Sequence, residues 1–189
     1  MYSYENRFFE IGNDAPKLRE EIKNLFYNNI KPYFEKNNKV GKNKEGVYFY
    51  HICHDCMRDQ FNLTYQNMNK VAEACNVNVD WNAIENLTSL TFILMPPGSE
   101  LVPHITSTQK AFCAFNIPLE GVTEIISYEY NEKTEEISQK HKHRYYNPYF
   151  LNVQEAHGVK NETSENRLIL KTHILALPYE KMVSSYNSS

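Results

Sequence analysis

Met95-Pro-Pro-Gly-Ser-Glu-Leu-Val-Pro-His104-Ile-Thr-Ser-Thr-Gln109 is the stretch whose reading decides the fold. Pro96, Pro97 and Gly98 follow an apolar run over 90–95. Proline presets a turn-compatible φ and glycine supplies the left-handed one, so a strand ends here and another begins. The new strand ends on His104, and small hydroxyl residues follow it. A second histidine comes 53 residues later, in Asn152-Val-Gln-Glu-Ala-His157-Gly-Val. Ten residues beyond it, Arg167 opens the run Leu168-Ile-Leu-Lys-Thr-His-Ile-Leu. His104, His157 and Arg167 each lie on or beside a strand-like run, so one pocket can hold all three.

Outward from this stretch the pattern is one of short strands. From residue 88 they are expected at 89–95, 100–105, 110–117, 122–130, 134–139, 143–146, 149–153, 157–160 and 166–176. Turn signals such as Pro118 to Gly121 and Asn147-Pro148 separate them. Many short strands at this spacing predict a sandwich or barrel. The N-terminal half reads differently. Residues 1–13 look extended, and Asp14 with Pro16 signals a helix start. Leu18, Ile22, Leu25, Phe26 and Ile30 recur at steps of three and four, which predicts a helix over 15–30 that ends near Pro32. Val47 to Cys53 reads as a strand, and Met68, Val71, Ala72 and Cys75 suggest a second helix over 66–75. The expected organisation is one α+β domain over 1–189. It has a helical or mixed part at 1–87, an all-β core at 88–178 and a tail at 179–189.

A neutral imidazole nitrogen binds divalent metals, and two such ligands leave open coordination positions of the kind a catalytic metal needs. Arg167 adds a planar fork suited to a carboxylate. The residues therefore propose a metal, held by His104 and His157, that presents an organic acid whose far carboxylate meets Arg167. The ordinary alternative is that these are satisfied histidines of a core or surface. A second cluster, His51, Cys53, His54 and Cys56, is too crowded for a familiar zinc-finger spacing and reads as a strand end with buried thiols.

The segment from about 90 to 176 resembles the Fe(II)/2-oxoglutarate oxygenases, and among them the aspartyl/asparaginyl β-hydroxylase-like branch. The resemblance rests on Pro97-Gly-Ser-Glu-Leu-Val-Pro-His104, on Phe115-Asn-Ile-Pro-Leu, and on Phe150-Leu-Asn-Val-Gln-Glu-Ala-His157-Gly-Val with Asn166-Arg-Leu-Ile-Leu. It implies a double-stranded β-helix, jelly-roll or cupin-like, with Fe(II) on His104 and His157. It also implies that Arg167 grips the distal carboxylate of 2-oxoglutarate. The implied activity is hydroxylation of a C–H bond of an amino acid or of a peptidyl Asp or Asn, with O2 as oxidant. The alternative is a cupin-like metal or small-molecule binding module without oxygenase activity. Most oxygenases of this superfamily carry Asp or Glu two residues after the first histidine. Thr106 stands there, as the absence of that carboxylate in the resembled branch implies. Glu155 is the nearest carboxylate to His157 in sequence, and period-two alternation offers it as a third ligand instead. The branch places Arg and His nine and eleven residues past the first ligand. Cys113 and Phe115 occupy those places, on an apolar face with Ala111 and Ile117 that is expected to point inward.

Two further expectations concern the pocket. Tyr48, Tyr50 and Tyr145 are candidate contacts at an entrance lined by the N-terminal helices. Alternation from Arg167 puts Ile169, Lys171 and His173 on one face, so either the strand leaves the pocket by Lys171 or a bulge shifts its register. Composition excludes other classes. A net charge of -3 predicts no electrostatic hold on nucleic acid, and the short basic run over 140–144 reads as a solvated edge. The first residues lack the apolar core of a secretory signal, and no apolar run suits a membrane helix. The reading is a cytoplasmic protein whose four cysteines are free thiols, acting on a small molecule or peptide without membrane or nucleic-acid partners.

Overall fold

A computed structural model describes residues 2–4, 8–10, 15–52, 55–63, 67, 70, 73–74, 88–105, 113–121, 123–131, 133–134, 136–174 and 178–187. Two sheets face each other. The larger is built from β1 (Tyr2–Tyr4), β2 (Phe8–Glu10), β3 (Gly41–Lys42), β4 (Tyr48–Ile52), β5 (Thr88–Met95), β7 (Cys113–Glu120), β10 (Tyr149–Leu151) and β12 (Arg167–Ile174). Its spatial order is β1-β2-β10-β7-β12-β5-β4-β3. The smaller comprises β6 (Glu100–His104), β8 (Thr123–Asn131), β9 (Glu136–Tyr145) and β11 (His157–Lys160), in the order β6-β11-β8-β9. Every pairing is antiparallel. Successive strands of the core, β5 to β6 and β7 to β8, pass from one sheet to the other, which is the winding of a double-stranded β-helix. The fold class is α+β with that core.

The larger sheet is buried on both faces. Its outer face meets α1 (Pro16–Leu25), the π-helical turn Phe26–Ile30 and α2 (Lys31–Lys36). Ile22, Phe26, Ile30 and Phe34 pack there against Tyr50, Phe92, Phe115, Leu168 and Leu170. The Phe26 ring lies 5.1 Å from Phe92 in a stack and 5.0 Å from Tyr50 edge-on. Burying each such side chain contributes about 1.5–3 kcal/mol. Tyr27 donates its hydroxyl to the Glu120 carboxylate and ties the turn to β7. The inner face meets the smaller sheet across Val47, Ile93, Met95, Ala114, Ile125, Tyr149, Leu151, Val159 and Ile169.

Several expectations change here. The helix does not stop at Pro32. Pro32 falls in the first turn of α2, where its missing N–H costs little, and the π-helical turn before it carries the helix through to Lys36. The two strands expected at 134–139 and 143–146 are one, β9. Tyr48 and Tyr50 point to the helical layer, and Tyr50 is buried in it, so neither lines an entrance. The helices cover the sheet's outer face, away from the space between the sheets. The helix expected over 66–75 and the Cys53 and His54 pair lie mostly or wholly outside the described residues, as do Ala111 and the Tyr145 side chain. Cys113 is a free, buried thiol. Beyond the core, α3 (Asp55–Gln60) and a C-terminal helix Tyr179–Asn187 complete the described elements. No helix among the described residues is long and apolar enough to cross a membrane.

Candidate metal centre

Local sequence sets the site. The Pro96–Gly98 turn delivers the chain from β5 to β6, with Gly98 at φ 76°, a conformation glycine adopts without steric cost. Asn161 anchors this turn. Its side-chain amide donates to the Met95 carbonyl at 2.7 Å and to the Glu165 carbonyl at 2.8 Å, and its own carbonyl accepts from Gly98 N at 2.9 Å. The ends of β5, β6, β11 and β12 are thereby fixed together. Gly158 permits the close approach of β6 and β11. A Cβ there would meet the Tyr128 ring at 2.9 Å and the Leu101 carbonyl at 3.0 Å.

β6 and β11 pair with His104 directly opposite His157. The two rings lie 4.5 Å apart between centroids, tilted by 54°. Each Nδ1 makes one contact with a carbonyl two residues earlier: His104 with Val102 at 2.8 Å, and His157 with Glu155 at 2.8 Å. A carbonyl only accepts, so each Nδ1 carries the proton and each Nε2 keeps its lone pair when the ring is neutral. Burial holds both rings neutral. It lowers the pKa of His104 and pushes that of His157 down to about 3, helped by the Lys171 charge. His157 is 4% exposed, and its Nε2 is buried without a hydrogen-bond partner. Buried polar atoms are rarely left so, and a tied Nδ1 with an orphaned Nε2 is the arrangement of a metal-binding histidine. The pair fits a divalent metal carried on two Nε2 atoms. Among the described residues no group of three or more His, Cys, Asp or Glu side chains adds to it.

Arg167 is 1% exposed and lies on the inner face of β12, opposite Met95, whose Sδ accepts from its Nη1 at 3.0 Å. The structure thus brings the two histidines together and sets Arg167 in the facing sheet. Glu155 is different from its expected place. It sits in the turn before β11, exposed, so strand alternation does not apply to it, and its backbone carbonyl contacts His157 Nδ1. Thr106 lies outside the described residues.

Cys113 and Phe115 are a second correction. They face the helical layer with Ile117, whereas Ala114 belongs to the core between the sheets. Alternation then turns Asn116 inward. Asn116 is 1% exposed, and its Oδ1 has no hydrogen-bond partner. Lys171 and His173 also stay on the inner face. The bulge in β12 falls between Leu168 and Ile169 on the β7 side, while pairing with β5 runs unbroken from Arg167 to Ile174. Neither way of removing Lys171 from the pocket is taken. Its place on the inner face of β12, two residues from Ile169, sets it in the sheet that faces the histidine pair. After burial, its charge further lowers the pKa of His104, His157 and His173. Its own pKa falls to about 8 through burial. Sequence alternation pointed to Lys171 and Asn116 could have been found by shifting β7 one residue.

No protein-family model matches the chain, and no curated protein sequence matches it. Solved structures do. A prolyl-4-hydroxylase from Pseudomonas putida is similar over 89% of this chain and 92% of its own, at 12% identity and a TM-score of 0.53. An oxalate oxidase is similar over 73% of this chain and 56% of its own, at 11% identity and a TM-score of 0.42. Vicilin from Corylus avellana is similar over 72% of this chain and 32% of its own, at 12% identity and a TM-score of 0.43. The likeness to the prolyl-4-hydroxylase supports the double-stranded β-helix as the fold.

Proposed function

We propose that this protein is an Fe(II)- and 2-oxoglutarate-dependent oxygenase that hydroxylates a C–H bond of an amino acid or of a peptidyl Asp or Asn. The observation that carries the reading is the buried, unpartnered Nε2 of His157 beside His104, with both Nδ1 protons tied to backbone carbonyls. His104 and His157 would hold the iron, and Arg167 would take the distal carboxylate of 2-oxoglutarate. Iron bound with 2-oxoglutarate supplies the oxidising chemistry by which O2 hydroxylates such a bond. The chain's part is to orient the organic acid and to exclude water, with the apolar core of Ile93, Ile125, Val159 and Ile169 packed between the sheets. The fold neighbour from Pseudomonas putida is a prolyl-4-hydroxylase, and hydroxylation is the reaction class proposed.

A second reading is a cupin-like module that binds a metal or small molecule without oxygenase activity. It is favoured by the inner face of β7, which offers Ala114 and Asn116 and no cationic side chain. Succinate formation from 2-oxoglutarate, with added Fe(II) and O2, separates the two. The oxygenase reading expects turnover that His104→Ala and His157→Ala abolish together with stoichiometric metal binding. Wild-type metal content in either variant would overturn the ligand assignment. Metal binding without any 2-oxoglutarate binding or turnover would leave the module.

A further inference from the structure

A row of polar side chains crosses the inner face of the larger sheet. Strand register pairs His51 with Thr91, Thr91 with Lys171, and Lys171 with Asn116. His51 Nδ1 and Thr91 Oγ1 are 2.9 Å apart. Facing it, a shorter row crosses the smaller sheet: His104 opposite His157, and His157 opposite Ser127. Ser127 is 3% exposed, and its Oγ has no partner. Three buried polar atoms on these two rows, His157 Nε2, Ser127 Oγ and Asn116 Oδ1, have no hydrogen bond. Lys171 itself has no ion pair or hydrogen bond to any described residue. The titratable side chains that feel its charge, His104, His157 and His173, are all basic, and burial keeps them neutral. A half-buried ammonium with no counter-charge, opposite two neutral imidazoles, is an unfilled anion seat.

We infer that Lys171, with the Asn116 amide beside it, seats the carboxylate at the oxo-acid end of 2-oxoglutarate. The inference rests on the oxygenase reading and assigns the end of the cosubstrate that Arg167 does not hold. Arg167 and Lys171 lie four residues apart on one face, about 13 Å along the strand. Ile169 stands between them as an apolar floor. Both side chains are long and flexible, so they reach toward a five-carbon diacid from its two ends. The Asn116 amide donates to the same carboxylate or, through its orphaned Oδ1, accepts from the Lys171 ammonium and orients it. Two neutral histidines leave a divalent metal's charge unbalanced, and a chelating oxo acid held by Lys171 supplies the anion.

The test uses the full chain with Mn(II) as a redox-silent metal and three probes: Mn(II) alone, 2-oxoglutarate, and 2-oxobutyrate, which keeps the oxo-acid end and lacks the distal carboxylate. Lys171→Met should weaken both oxo acids by about tenfold or more. It should leave Mn(II) alone bound at least as tightly, because a repelling cation is gone. Lys171→Arg should restore most of the oxo-acid affinity, and Asn116→Leu should weaken both acids less than Lys171→Met does. Arg167→Ala should weaken 2-oxoglutarate and spare 2-oxobutyrate. Unchanged oxo-acid affinity in Lys171→Met overturns the inference and leaves the oxygenase reading standing. Loss confined to 2-oxoglutarate also overturns it, since Lys171 would then serve the distal end. A wild-type protein that binds Mn(II) but neither acid overturns both. A Lys171→Met protein that loses Mn(II) along with the acids shows a structural role and overturns the inference too.

Discussion

β12 is covered on both faces, fully on the outer and partly on the inner, and the two are built differently. The outer face carries Leu168, Leu170, Thr172 and Ile174, each 0–1% exposed, and its three aliphatic side chains pack in the cluster under the helices. The inner face carries Arg167, Ile169, Lys171 and His173 along the same length. An apolar side chain in any of the three polar places would avoid the cost of taking a polar or charged group from water. The outer face thus holds the sheet to its helices. The inner face gives up stability to keep a cation at each end of one apolar residue, opposite a histidine pair. The strand teaches where to look for chemistry: at the polar groups that packing alone would replace.

The sharpest way to break this contrast is to truncate each face. Leu170→Ala removes a fully buried side chain from the outer layer and should cost about 2–5 kcal/mol in urea unfolding. Metal affinity of the folded fraction should stay near wild type. A loss no greater than that of an exposed substitution would mean the outer layer is not the main core. Arg167→Ala, on the inner face, should weaken 2-oxoglutarate at least tenfold, since truncating one partner of a buried charge pair costs roughly 2–5 kcal/mol of binding. Metal affinity should hardly move. Equal 2-oxoglutarate affinity in the variant and the wild type would remove Arg167 from the site.

Acid sharpens the same contrast. His157 and His173 both have pKa values pushed down to about 3 by burial, from 6.5 for the free side chain. The unfolded chain takes up these protons near pH 6.5, and the folded chain refuses them until about pH 3. Their contribution is intact above about pH 6.5 and is lost as the pH falls toward 3. The urea midpoint of the metal-free protein should therefore drop between pH 7 and 4.5. His157→Leu should flatten that drop. An equal slope in the variant would show that His157 is protonated within the fold.

The elements of the candidate site were legible where turn chemistry and alternation agree. β11 occupies 157–160, as read, because Gly158 and Val159 continue the pattern after the Asn152 turn. β6 follows the Pro-Pro-Gly turn to His104. β7 was misread by one residue. From Cys113 to Leu119 every residue is buried, so no alternation marks which face is inner, and a one-residue error exchanges the faces. Asn116 was hidden by that error. Lys171 was visible, but two polar groups in a barrel read as a conflict to be relieved. In the structure they lie on the inner face of β12, in the sheet opposite the histidines, and the conflict is the signal. The helix beyond Pro32 was illegible because a π-helical turn leaves no mark in an apolar stripe of threes and fours.

The smallest expected effect concerns Glu155, and it tests how much of the site is two histidines. The carboxylate is the nearest in sequence to His157, and a third anionic ligand would change the metal's charge and affinity. The turn before β11 instead leaves the Glu155 side chain exposed and uses its backbone carbonyl to hold His157 Nδ1 at 2.8 Å. A backbone carbonyl survives substitution. Glu155→Ala should therefore leave metal affinity within about twofold, because the tie that fixes the His157 tautomer remains. The check is titration with Mn(II), run beside His157→Ala as the positive control and Thr106→Ala as the test of the neighbouring hydroxyl. A tenfold or greater loss in Glu155→Ala, with His157→Ala no worse, would place a carboxylate on the metal. The site would then be a three-ligand centre of the common type, and the anion seat at Lys171 would have less charge to balance.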